Sequence, residues 1–94
     1  MNYKVEIEKK AKKFIKTLSR YEAIKVLEII MALAKDPRPR WVEKLKGIKK
    51  GEYYRTSWGK YRMLYMIQDE ILQVNIVEVD GRDDSYKKLN KRLK

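Results

Sequence analysis

The 94 residues carry 24 Lys and Arg against 13 Asp and Glu, a formal charge of +11, and contain neither Cys nor His. A chain of this length suffices for one domain, residues 1–94, with a small core. Lacking Cys and His, it can form no disulfide, no thiolate or imidazole metal site, and no Cys–His or Ser–His–Asp catalytic unit.

Residues 3–7, Tyr-Lys-Val-Glu-Ile, alternate apolar and polar, which predicts a short half-buried strand. Ala11, Phe14, Ile15 and Leu18 then recur at helical spacing, with Lys9, Lys10, Lys12, Lys13 and Lys16 mostly on the opposite face. Ser19-Arg-Tyr-Glu22 has the Ser-x-x-Glu pattern of a capping box, so a second helix starts there. Its expected buried stripe is Ala23, Leu27, Ile30, Met31 and Ala34, and Asp36-Pro-Arg-Pro39 ends it. Almost nothing separates the two helices, which predicts an antiparallel helical hairpin. Trp41, after two prolines, is expected to pin the following loop against the helices.

From Tyr53 the pattern changes. Tyr53–Trp58, Tyr61–Ile67 and Ile71–Val79 are rich in Tyr, Val and Ile, with breaks at 57–60 and 68–70, the pattern of a three-stranded antiparallel meander. Tyr61 and Tyr65 alternate with Met63 and read as core; Trp58 reads equally as a turn plug or an exposed contact. Residues 83–94 form a short last helix or a tail. The order strand, helix, helix, three strands, tail gives an α+β domain. The longest apolar run, Ile29–Ala34, is far short of the ~20 residues of a membrane span, and the N-terminus lacks a signal-peptide core. The expectation is a soluble, cytoplasmic protein with no membrane partner.

The positive charge is concentrated. Residues 35–62 carry +7 and residues 82–94 carry +4, while residues 63–81 carry −4. Such a field suits a polyanionic partner. The segment from Lys44 to Arg62 also holds Tyr53, Tyr54, Trp58 and Tyr61; cations for phosphates interleaved with rings for bases suit single-stranded nucleic acid. The acidic pairs Asp69-Glu70 and Asp83-Asp84 lack further ligands and give no metal motif.

Three pieces stand at a characteristic spacing: Lys44-Leu45-Lys46-Gly47; Tyr54-Arg55-x-x-x-Gly59-x-Tyr61-Arg62-x-x-Tyr65; and Val79-x-x-Arg82-x-x-x-Tyr86. Together they resemble the RelE/ParE toxin superfamily, closest to the RelE-like mRNA interferases, over essentially the whole chain. The resemblance implies the RelE-like, microbial-ribonuclease type of fold. It also implies the toxin half of a type II toxin–antitoxin pair, a ribosome-dependent endoribonuclease cutting mRNA in the A site with no cofactor. The implied partners are a RelB-like antitoxin, forming a heterotetramer in some arrangements, the mRNA-loaded ribosome, and operator DNA reached through the antitoxin. Two other functions stay open under the same fold: a ParE-like inhibitor of DNA gyrase without nuclease activity, and a degenerate member acting only in the antitoxin complex.

Carried over residue by residue, Arg62 matches the arginine that faces the scissile phosphate. Arg82 matches the arginine after the last strand, and Tyr86 the tyrosine at the cut. Arg55 and Ser57 stand where some relatives have two lysines, the second of them proposed as the base. Lys44, Lys46, Lys49, Lys50 and Lys60 would hold RNA backbone. Ser57 departs from the pattern, because serine cannot take up a proton as a neutral lysine can. Arginine stays protonated and cannot replace it. Arg55, Arg62 and Arg82 are therefore assigned to charge stabilisation and positioning, and Tyr86 to stacking or orientation. The alternative for Arg62 is a cross-strand pairing with Glu78 or Asp80.

Overall fold

The computed structural model describes residues 2–81. The elements run β1 (Lys4–Ile7), α1 (Lys9–Lys16), α2 (Arg20–Lys35), β2 (Glu43–Lys44), β3 (Glu52–Trp58), β4 (Tyr61–Gln68) and β5 (Gln73–Gly81). A five-stranded sheet in the order β1-β5-β4-β3-β2 carries both helices on one face. The expected α+β class holds, as does the antiparallel meander, which is β3-β4-β5. The first strand joins it in parallel beside β5, with Lys4 opposite Gln73 and Ile7 opposite Ile76. The expected C-terminal helix or tail lies outside the described residues.

Period-2 patterning builds the sheet. Tyr54, Thr56, Met63, Tyr65, Ile67, Val74, Ile76 and Val79 are buried, and all eight share the face that meets Ala11, Val26, Ile30 and Leu33 of the helices. A bulge between Leu64 and Tyr65 lets β5 carry one extra residue without reversing its faces. The capping box forms as expected. The Ser19 hydroxyl accepts from the Glu22 amide at 3.2 Å, and Glu22 receives the Ser19 amide at 3.4 Å. The Tyr61 hydroxyl also donates to Glu22, tying the helix start to β4. These bonds, led by that from Tyr61, hold the Glu22 carboxyl below its usual range.

Three expectations need correction. The buried stripe of α2 is Val26, Ile30 and Leu33, whereas Leu27 and Met31 are 46% and 65% exposed. At about 100° per residue, the apolar side chains of α2 from Ile29 round to Ile24 span roughly 220° of its circumference. One sheet face covers only part of such an arc, and periodicity alone does not say which part. The expected stripe fell between the covered and uncovered portions. Trp41 is 51% exposed, and Val42 packs against the core in its place. Ile71 and Leu72 belong to the β4–β5 connection, where Leu72 takes a left-handed conformation at φ 50°, and both are exposed. The two-residue β2 was not anticipated. Tyr61 and Tyr65 face the core side, and Trp58 packs partly against it.

The loop between α2 and β2 is anchored at two points. The buried Tyr65 hydroxyl donates to the Pro37 carbonyl at 2.8 Å. Arg38 donates to Asp69 at 2.7 Å, to the Tyr54 hydroxyl at 3.1 Å and to Glu52, with its guanidinium 5.8 Å from the Tyr54 ring centre. Tyr3 completes the cluster, donating to Asp69 at 2.7 Å. Arg38 thereby joins the loop to the starts of β1 and β3 and to the β4–β5 turn. Its donors hold the Asp69 and Glu52 carboxyls below their usual range.

Candidate nucleic-acid interface

The side of the sheet turned away from the helices is defined by register. Ser57 lies opposite Arg62, and Arg62 opposite Asp80. The next row on the same face is Glu43, Arg55, Leu64 and Glu78. Then come Tyr53, Met66 and Asn75. Directly opposed side chains start about 5 Å apart and diagonal ones about 7–8 Å. Arg55 and Arg62 are therefore diagonal neighbours with Ser57 beside both. Two arginine forks at that spacing can grip a phosphate and its neighbour, or two sides of one phosphorane.

The remaining expected residues divide. Lys44 lies opposite Tyr54, on the helix side of the sheet, and its ammonium is 3.5 Å from Glu52. Lys60 sits in the β3–β4 turn with its ammonium 5.5 Å from the Tyr61 ring centre, again on the helix side. These two do not join the arginines. Lys46, Lys49 and Lys50 are exposed in the loop between β2 and β3. In that loop Gly51 has φ +95°, a conformation that favours glycine, and a Cβ there would stand 3.2 Å from the Met66 sulfur. Arg82 and Tyr86 lie outside the described residues.

Sequence reasoning missed Glu43. Its carboxylate accepts from Arg55 Nε at 3.1 Å and lies 3.0 Å from the terminal nitrogen NH2. A two-residue strand has no period to detect, so nothing in the sequence marked Glu43 as Arg55's neighbour. On the far side of the face, Lys10 reaches Glu78 at 3.4 Å. The charged residues that the register sets on this face are Lys4, Arg55 and Arg62 against Glu6, Glu43, Glu78 and Asp80. Among the described residues the face is thus balanced in charge, and the strong positive surplus of the chain lies elsewhere. Among them, too, no group of acidic side chains is gathered to hold a metal ion, and no helix is long and apolar enough to cross a membrane.

No family model matches the chain. It is 31% identical over 90 residues to a Methanocaldococcus jannaschii protein named as toxin RelE1, covering 93% of this chain and 98% of that one. Among solved structures it is similar to a chain of the archaeal RelE–RelB complex from Pyrococcus horikoshii. The TM-score there is 0.77 at 29% identity, covering 87% of this chain and 97% of the other. A chain of the RelBE2 toxin–antitoxin complex of Mycobacterium tuberculosis gives a TM-score of 0.73 at 29% identity, over 87% and 100%. The isolated RelE toxin of E. coli shares the fold, with a TM-score of 0.72 at 22% identity over 98% and 99%.

Proposed function

The chain belongs to the RelE toxin family, and on that premise we propose that it is the toxin of a type II toxin–antitoxin pair. It acts in the cytoplasm as a ribosome-dependent, metal-independent endoribonuclease on A-site mRNA, restrained by a RelB-like antitoxin. The observation that carries this reading is the grouping of Arg55, Ser57 and Arg62 on the helix-free face of the sheet.

In the reaction, the 2′-oxygen of the substrate attacks the adjacent phosphorus in line and loses its proton. The bond to the 5′-oxygen breaks, leaving a 2′,3′-cyclic phosphate and a 5′-hydroxyl. Arg62 binds a non-bridging oxygen and stabilises the charge that grows on the phosphorane. Arg55 positions the adjacent backbone. Arg82 adds a further cation, and Tyr86 stacks on or orients the nucleotide at the cut. Lys46, Lys49 and Lys50 hold RNA backbone further out. Arginine as a residue type keeps its proton in proteins and serine is no base, so the ribosome supplies proton transfer. The enzyme is accordingly slow on free RNA.

A gyrase-directed, non-nuclease function is the second reading, favoured by the charge-balanced face and by Ser57. Primer extension on ribosome-bound mRNA separates the two. Discrete cuts within A-site codons, lost in Arg62→Ala, are the expected result. Cuts that persist in the variant overturn the role of Arg62. No cuts with the unaltered protein, together with failure of DNA supercoiling, favour the second reading.

A further inference from the structure

An arginine grips a phosphate by either of two edges, and on Arg55 the edge carrying Nε and one terminal nitrogen is occupied. Nε donates to one oxygen of Glu43 at 3.1 Å, and the terminal nitrogen lies 3.0 Å from the same oxygen. We propose that Glu43 is a resident competitor for this edge, so that RNA engages this edge of Arg55 only by displacing a carboxylate of the protein itself. The inference rests on the RNA-directed reading above and concerns the regulation of that same surface.

The contact is set by the fold. Glu43 lies directly opposite Arg55 in the β2–β3 register. The loop that delivers it is anchored through Arg38 to Asp69, Glu52 and Tyr54, and through the Pro37 carbonyl to Tyr65. A carboxylate held at this place presents an oxygen to the guanidinium as a phosphate would.

The contact is also easily broken. The side chains are 39% and 65% exposed, and an exposed pair of this kind resists separation by no more than about fivefold. Arg38, which braces the loop, contacts two carboxylates and a tyrosine hydroxyl. Arg55 has one exposed carboxylate on an edge strand of two residues, which suits an exchangeable partner. Asp80 also lies opposite Arg62 on the same face, but it is buried, unlike Glu43. A polyanion arriving here exchanges one anion for another, and weak or single contacts do not suffice. The surface then discriminates for ligands that offer several phosphates at once.

The test is equilibrium binding of a short single-stranded 2′-O-methyl RNA, which cannot be cut, followed by fluorescence anisotropy at several salt concentrations. Glu43→Gln is expected to tighten binding about threefold to fivefold and to steepen the salt dependence by close to one counterion. Glu43→Ala, which removes the acceptor altogether, should act in the same direction. Glu28→Gln is the charge control. It raises the net charge equally but changes an exposed carboxylate on α2, 4.0 Å from Lys25. If Glu43 acts through Arg55, the gain disappears in an Arg55→Ala background. A Glu43→Gln effect no larger than that of Glu28→Gln, or an equal gain without Arg55, overturns the inference. If Arg62→Ala still weakens binding in that case, the RNA-directed reading stands alone. If neither Arg55→Ala nor Arg62→Ala weakens binding, that reading falls and the competitor role falls with it.

Discussion

Replacing Leu33 and Met31 separately by Ala distinguishes the two apolar arcs of α2. The residues lie two apart in one helix, and Ala is the best helix former, so the gain in propensity is small and similar for both. Leu33 is 0% exposed in a cluster with Val26, Ile30 and the sheet, whereas Met31 is 65% exposed. Truncating Leu33 loses transfer free energy and leaves a cavity, about 2.7–5 kcal/mol in all. That is a large part of the ~5–15 kcal/mol that holds a domain together. At about 4–8 °C per kcal/mol for a chain of this size, the thermal midpoint should fall by well over ~10 °C. Truncating Met31 should cost within about 0.5 kcal/mol, which moves the midpoint by no more than ~4 °C. Urea unfolding followed by far-UV circular dichroism measures both at constant temperature. Equal losses in the two variants would refute the placement of α2 on the sheet.

Two other outcomes follow from the polar anchors of the α2–β2 loop. Asp69 and Glu52 are held below the usual carboxylate range chiefly by Arg38, so their contribution to stability is complete above about pH 5 and is lost as the pH falls through their folded-state values. The thermal midpoint should therefore drop on acidification below that point, with a shallower drop in Arg38→Met; parallel curves would contradict the assignment. Tyr65→Phe keeps the ring stacked on Tyr54, 5.7 Å between centres, but leaves the buried Pro37 carbonyl without its donor. The expected cost is about 1–3 kcal/mol in urea unfolding, and an unchanged midpoint would show that the hydroxyl bond is not holding the loop.

The elements that could be read from the amino-acid order are those with a repeating signal or a local device. Ser19 and Glu22 mark the start of α2 because a capping box is complete within four residues. Alternation from Tyr61 to Ile67 marks β4 because one face is buried and the other is not. Where a signal was ambiguous or too short, the reading failed. Ile24, Leu27 and Met31 are as apolar as Val26, Ile30 and Leu33, and only the docked sheet tells them apart. Glu43 and Lys44 are two residues, too few to alternate. The candidate site divides in the same way. Arg55, Ser57 and Arg62 could be grouped from motif spacing, and the register puts them on one face. The motif could not reveal that Lys44 and Lys60 lean to the helix side, because that depends on strand phase at an edge and on a turn. Nor could it reveal the acids opposite the arginines, since Glu43 and Asp80 are brought there by pairing between distant segments.

The parallel pairing of β1 with β5 bears on how the protein is made. Residues 4–7 leave the ribosome well before the strand at 73–81, which among the described residues is their partner in the sheet. The helices and the β3–β4 hairpin can form earlier from near contacts, but the sheet closes only once β5 has emerged, a long-range step that slows folding. Arg62 also stands on a strand that needs β5 on its open side. If the chain cuts mRNA on ribosomes, as proposed, its own nascent form is harmless to the message being read until the codons for β5 have been translated.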